Sequence, residues 1–296
     1  MKISGGYLFV AISGILSGLL VFGGQIFLNM GLSVYEISVL PYLIVAIILS
    51  PLVIKNKKYR PRGMPFIWIL YGVTSGATVL AQYTALILGV PVAMVVLLLY
   101  TQPLWTLVIS KFCLKEHINK KGIFASILVF LGVIVLVNPF GISSIENILG
   151  VIVALIGGIT LSGWIVLGSF VSKKNNHPIS IKFTETTIAL IFIIMVLPLL
   201  LILVRQPELT NLSFMWPTEI WVYLALYAVF AILINHLSYY IGAKKVPTFS
   251  AGVIMLLEPV VAAVLSVIFL SQALTVNLIL GGVIILLANY IVIRNK

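Results

Sequence analysis

Long apolar runs separated by short polar segments dominate the chain. Stretches able to cross a hydrocarbon core of roughly 30 Å run over 6–30, 33–54, 64–88, 90–110, 122–138, 148–171, 180–204, 220–242, 248–270 and 274–293. The pattern predicts an all-α integral membrane protein with ten transmembrane helices, because in lipid every unpaired peptide group is expensive and connections must be brief. Pro91 and Pro247 each open a predicted helix, where the missing N–H would have been unpaired anyway. Pro103 and Pro259 fall inside the predicted fourth and ninth helices. There each is expected to delete a backbone hydrogen bond and kink the helix at mid-depth, a pointer to a central cavity. Gly14 with Gly18, Gly72 with Gly76, and Gly158 with Ser162 have the four-residue spacing that lets helix backbones approach closely, within the bundle or between subunits.

The pattern also repeats. Tyr239 follows Tyr83 by 156 positions, and the same displacement carries Pro91 onto Pro247, Gln102-Pro103 onto Glu258-Pro259, and Ile118 onto Leu274. Charge breaks the likeness: Lys111, Lys115, Lys120 and Lys121 meet Val267, Ser271, Val276 and Asn277, whereas Lys244 and Lys245 meet Leu88 and Gly89. Cationic loops stay on the cytoplasmic side, so equivalent loops with opposite charge signatures imply that one unit was inserted in two opposite orientations. The expected organisation is two inverted five-helix repeats, residues 1–140 and 141–296. With the N-terminus inside, Lys2, the basic cluster Lys55–Arg62, Lys111–Lys121, Lys173-Lys174, Lys244-Lys245, Arg294 and Lys296 are all cytoplasmic, and only Arg205 falls outside. Both termini are therefore placed in the cytoplasm, with Lys182 snorkelling back to the inner interface and Glu146, Glu208 and Glu219 in outer loops.

Composition narrows the class. A chain of 296 residues with 61% hydrophobic and 8% charged residues and a mean hydropathy of +1.23 cannot hide its apolar surface in an aqueous core. The net charge of +11 lies in short clusters between apolar runs, which makes it a topology signal and a contact for anionic lipid, not a nucleic-acid surface. The single cysteine, Cys113, has no partner for an internal disulfide. The first apolar run lacks a small-residue cleavage site and reads as a retained span.

Polar residues inside the spans are the candidate chemistry. Glu258 is the costliest, since a mid-membrane acid is penalised by roughly 2.5–3.5 kcal/mol on insertion scales. It is read as a proton-coupling group, as a counter-ion for a cationic solute, or as a donor to a carbonyl freed at Pro259. Helical spacing places Ser13, Ser17 and Gln25 on one face of helix one, and Ser75, Thr78 and Gln82 on one face of helix three. Thr101 and Gln102, Thr160 and Trp164, and Asn235 with Tyr239 add polar stripes to helices four, six and eight. From these, Ser17, Thr78, Gln82, Thr101, Gln102, Trp164, Asn235 and Tyr239 are the expected substrate contacts, while any one Ser or Thr can instead bond its own backbone. His236 is expected to be solvated near the inner end of helix eight, and Glu36 and Glu185 to be interfacial acids. Trp68, Trp216 and Trp221 fit an interfacial aromatic belt.

The residues resemble the drug/metabolite transporter superfamily in its ten-helix EamA branch. The resemblance rests on Tyr83-Thr84-Ala85-Leu86, Pro91-Val92-Ala93, Gln102-Pro103-Leu104 and Leu114-Lys115-Glu116, and in the second copy on Tyr239, Pro247, Leu257-Glu258-Pro259-Val260 and Leu270-Ser271-Gln272. Lys115-Glu116 and Ser271-Gln272 replace the family's usual Gly-Glu. The resemblance implies a secondary transporter of the cell membrane, commonly an exporter, for amino acid-like, amine or drug-like solutes, with no cofactor or metal.

Two other classes compete. A polytopic enzyme acting on lipid head groups usually needs clustered carboxylates or a nucleophile with its base, whereas this chain has no Asp and seven scattered Glu residues. A non-transporting membrane scaffold would carry similar interior polar residues. Whether the protein is a monomer or a homodimer stays open. Accessibility labelling is expected to find the stretches around Lys120 and Lys245 both on the cytoplasmic side; labelling from opposite sides removes the inverted arrangement.

Overall fold

The computed structural model describes residues 5–63, 65–90, 92–117, 120–137, 148–204, 211–270 and 274–294. Of the residues singled out above, Lys2, Pro91, Ile118, Glu146, Arg205, Glu208, Ser271, Gln272 and Lys296 lie outside them, as does the junction at 140–141. The chain runs through α1 (Gly5–Asn29), α2 (Val34–Lys55), α3 (Pro65–Ile87), α4 (Val92–Leu99), α5 (Gln102–Cys113) and α6 (Lys120–Val137). It continues through α7 (Ile148–Lys173), α8 (Pro178–Val204), α9 (Thr218–Tyr227), a π-helical stretch Ala228–Ile234, α10 (Asn235–Ala243), α11 (Thr248–Met255), α12 (Leu257–Phe269) and α13 (Val276–Arg294). Eight helices among the described residues are long and apolar enough to cross a membrane. Leucine, isoleucine and phenylalanine side chains stand exposed along them, the surface that lipid would cover.

Two spans are broken. α4 and α5 are separated at Tyr100-Thr101, and α11 and α12 at Leu256. Pro103 and Pro259 therefore sit in the first turn of a new helical segment, where no intrahelical N–H bond is due, instead of kinking a continuous helix. The interruptions correspond: displaced by 156 positions, Val92–Leu99 falls on Thr248–Met255.

Small residues bring the helices together. A Cβ at Gly72 would lie 2.4 Å from Ile188 Cβ, and one at Gly76 would lie 2.9 Å from Phe192 Cδ1, so α3 and α8 touch almost backbone to side-chain root. Gly18 does the same for α1 against Val261 of α12, at 2.6 Å. A Cβ at Gly158 would lie 2.6 Å from Leu98 O and 2.7 Å from Thr101 Oγ1, so only a glycine lets α7 press onto the first helix break. These small-residue spacings pack within the chain. Contacts between the halves are reciprocal: α3 packs on α7 as α1 packs on α10, α5 packs on α7 as α1 packs on α12, and α6 lies along α13.

Two acids expected at the surface or without a role turn out to organise the chain. Glu36 is 1% exposed: one carboxylate oxygen closes a capping box with Ser33, and the other accepts from Ser213 N at 2.8 Å and Trp216 Nε1 at 3.0 Å. It is buried because it supplies an acceptor to three donors, Ser33 N, Ser213 N and Trp216 Nε1, that would otherwise be unpaired. Trp68, placed in the aromatic belt by its position, is likewise in the core. Beyond the end of α5, Glu116 accepts from Thr248 N (3.0 Å), Phe249 N (3.3 Å), Thr248 Oγ1 (2.7 Å) and Lys173 Nζ (2.9 Å). It caps the free N-terminus of α11 from a loop of the other half.

Burial pushes the Glu116 carboxyl up, but the Lys173 ammonium and the Thr248 donors outweigh it and hold the group below the usual 4.5. A carboxyl lowered in the fold contributes stability that is complete above its unfolded value and lost as pH falls through the folded one. Replacing Glu116 with Ala is expected to destabilise the protein by about 1–2 kcal/mol, read as a lower unfolding temperature in detergent. The gap between Glu116→Ala and the parent should close as the pH drops below that range; a gap independent of pH contradicts the capping role.

Candidate functional site

Both helix breaks open onto one cavity of about 120 Å³. Val96, Leu99 and Tyr100 reach it from the first break, and Met255 and Glu258 from the second. α1 contributes Ser17, Leu20 and Val21; α3 contributes Ser75, Thr78 and Gln82; Tyr42, Trp164 and His236 come from α2, α7 and α10. A side chain reaches such a place because the halves of a broken helix end there, giving irregular backbone something to line.

The polar groups fall into two clusters. In the first, Tyr100 Oη donates to Glu258 Oε1 at 3.1 Å, in the first turn of α12, where the exposed N–H groups of the segment favour an acid. In the second, Lys182 and Glu185, both 0% exposed, lie one turn apart on α8 and pair at 2.6 Å. Lys182 Nζ also reaches His236 Nδ1 at 2.9 Å and stands 4.9 Å over the Tyr42 ring. The Glu185 carboxylate accepts from Ser75 Oγ and, at 3.2 Å, from Thr186 Oγ1, while Tyr42 Oη lies 3.2 Å from Ser75 Oγ. Four groups from four helices, His236, Tyr42, Ser75 and Thr186, thus surround one buried ion pair, and Ser75, Tyr42 and His236 carry that network to the cavity wall.

This cluster corrects three expectations. Lys182 does not snorkel, because a carboxylate and an imidazole nitrogen within its reach satisfy the ammonium more closely than the distant interface. Glu185 is not interfacial, and His236 is not solvated: it is 7% exposed and shares its Nδ1 with Lys182. The i, i+3 spacing of Lys182 and Glu185 was the sequence signal for the pair. Tyr42 and Tyr100 carried no such signal, since their partners come from elsewhere in the chain.

The expected contacts divide. Ser17, Thr78, Gln82, Trp164 and Glu258 line the cavity. Four others lie off its wall, each spent on holding helices together. Asn235, 0% exposed, accepts from Ser13 Oγ at 2.6 Å and donates to Ser17 Oγ at 3.0 Å and Ala231 O at 2.9 Å. Tyr239 donates to Ile165 O at 2.6 Å and backs the Trp164 ring at 5.0 Å. Gln102 donates to Thr106 Oγ1 at 2.5 Å, with α11 pressed against it at Gly252. Thr101 donates to Leu98 O at 2.6 Å and accepts from Trp105 Nε1, closing the helix break. Gln25, grouped with Ser13 and Ser17 by spacing, is exposed and bonds Asn29.

Removing one partner of the α8 pair leaves a bare charge in a low-dielectric interior, an effect of about 3–5 kcal/mol, whereas removing both is far milder. Lys182→Met is accordingly expected to lower the unfolding temperature sharply or abolish folding, and Lys182→Met with Glu185→Leu to regain most of the loss. A double variant no better than the single one contradicts a compensated ion pair.

Comparison with known proteins agrees with this architecture. The model of the EamA-like transporter family matches residues 4–138 and again 148–294. An uncharacterised transporter of Clostridium kluyveri is 23% identical over 295 residues, 97% of this chain and 92% of its own length. One of Archaeoglobus fulgidus is 25% identical over 267 residues, 90% of each chain. A crystal structure at 17% identity aligns over 100% of both chains with a TM-score of 0.78, a likeness of fold alone.

Proposed function

This chain belongs to the EamA-like transporter family, and from that premise we propose that it is a secondary transporter exporting a small amino acid-like, amine or drug-like solute across the cell membrane. Ten spans form two inverted repeats, residues 1–140 and 141–296, with both termini in the cytoplasm. The repeats rock about the cavity between them, exposing it to either side in turn. The observation that carries the reading is the meeting of two broken spans at one polar-lined cavity. Reciprocal packing of the halves supports the repeat. The size supports a small solute: about 120 Å³ is close to the ~150 Å³ that takes up a benzene-sized guest.

Ser17, Thr78, Gln82 and Trp164 contact the solute in this reading. Thr101, Gln102, Asn235 and Tyr239 act behind them by fixing the helices. Glu258 is the coupling acid: a carboxyl that faces the cavity and has, among the described residues, the neutral hydroxyl of Tyr100 as its partner can exchange a proton or a cation as access alternates. The descriptions of the relatives as transporters favour this over a lipid-head-group enzyme.

Liposomes containing the purified protein are expected to show solute flux that responds to a pH gradient, and Glu258→Gln to remove that response while flux down a solute gradient persists. An unchanged pH profile in Glu258→Gln removes the coupling role. Absence of flux for amino acids, quaternary amines and nucleosides alike favours the scaffold reading.

A further inference from the structure

The ammonium of Lys182 has consequences beyond its own ion pair. An ammonium only donates, so His236 Nδ1, 2.9 Å from Lys182 Nζ, must accept, and the ring proton of the neutral imidazole then resides on Nε2. His236 lines the cavity, and the network behind it fixes the tautomer with its N–H on the ring nitrogen that Lys182 does not occupy. Trp164 stands beside it, ring centroids 4.7 Å apart, also on the cavity wall. The Trp164 side chain is buried, 5% exposed, and its indole N–H has no acceptor among the described residues. A buried N–H without an acceptor is destabilising, yet the ring is held in place by further aromatic packing, with Tyr239 at 5.0 Å and Tyr71 at 6.4 Å.

We propose that Trp164 and His236 form a subsite for a hydrogen-bond-accepting oxygen of the solute, a carboxylate or a carbonyl. It deepens, and rests on, the reading of this cavity as the solute site. The charged and titratable groups around the subsite among the described residues are Lys182 and Glu185 from α8, Tyr42 from α2, Tyr71 from α3, and Tyr239 and Tyr240 from α10. Lys182 and Glu185 cancel, so the subsite offers donors without a net charge. Glu258, bonded to Tyr100, supplies the acceptor chemistry of the same cavity. Solutes carrying an acceptor oxygen as well as an amine are thereby selected over simple amines.

The test uses the full-length protein with ¹⁵N-labelled tryptophan in detergent micelles, the Trp164 indole signal being the one lost in Trp164→Phe, or in Trp164→Tyr should the first variant fail to fold. Acetate and acetamide are titrated as fragment probes, with ethylamine as the probe that lacks an acceptor. The Trp164 signal is expected to move on addition of acetate, acetamide or both, and to stay in place with ethylamine. A response to acetamide alone identifies a neutral carbonyl and one to acetate alone a carboxylate. His236→Gln, which keeps a donor at the cavity end of the side chain, should retain the response, and His236→Leu should weaken the apparent affinity about tenfold, the loss of one hydrogen bond. A Trp164 signal indifferent to both oxygen probes, or equally displaced by ethylamine, overturns the subsite. Liposome flux separates the two conclusions: flux with an indifferent Trp164 discards the subsite alone, while absent flux with a responding Trp164 discards transport and keeps the subsite.

Discussion

Inside a bilayer no water is at hand to satisfy a peptide group or a charge, and the arrangement of this protein follows from that constraint. Two spans lose the regular α-helical ladder at Tyr100-Thr101 and at Leu256, where Thr101 N and Leu256 N bond only three residues back, to Leu98 O and Val253 O. Each break is tolerated because it is enclosed by neighbouring helices and opens inward onto a cavity. Thr101 takes up the carbonyl of Leu98, and Gly158 brings α7 against the break closely enough to seal it from lipid. The prolines that follow each break occupy positions where their missing N–H is not required. What looks like a weakness in two helices is therefore the means by which both breaks come to line one cavity.

The same constraint governs charge. Glu36, Glu116 and Glu185 are each surrounded by donors from other parts of the chain, and each joins segments far apart in sequence. Glu116 ties the end of α5 to the start of α11 and the end of α7; Glu185 with Lys182 ties α8 to α3 and α10. Glu258 differs, with the hydroxyl of Tyr100 beside it and no cation among its described partners. A compensated acid is structural in character, whereas one left facing a cavity with a neutral partner is available to a proton or a solute. This difference in surroundings, not the presence of an acid in a span, makes Glu258 the candidate for coupling.

Much of the polar material in the interior serves to position the wall and never reaches it. Asn235 is fully engaged between α1 and the π-helical stretch, Tyr239 holds a carbonyl of α7, and Gln102 links α5 to α7 through Thr106 and Ser162. Behind the cavity these residues fix the rings of Trp164 and His236 and the hydroxyl of Ser17.

The apolar runs, the basic clusters, the repeat and the motifs around Tyr83, Gln102-Pro103 and Leu257-Glu258-Pro259 were legible in the sequence, because hydrophobic period and charge placement act locally and survive without a fold. They sufficed for a membrane-embedded all-helical chain and for its family. Helical spacing also put Ser17, Thr78, Gln82 and Trp164 on shared faces, since faces are a property of one helix. It did not say which faces meet. Whether Asn235 turns to a cavity or to Ser13, whether Lys182 reaches water or Glu185 and His236, and whether Pro103 bends a helix or follows a break were decided by helix-to-helix contacts between residues far apart in the chain. A buried polar group takes whichever partner the neighbouring helix offers, and that neighbour is fixed only when the bundle closes.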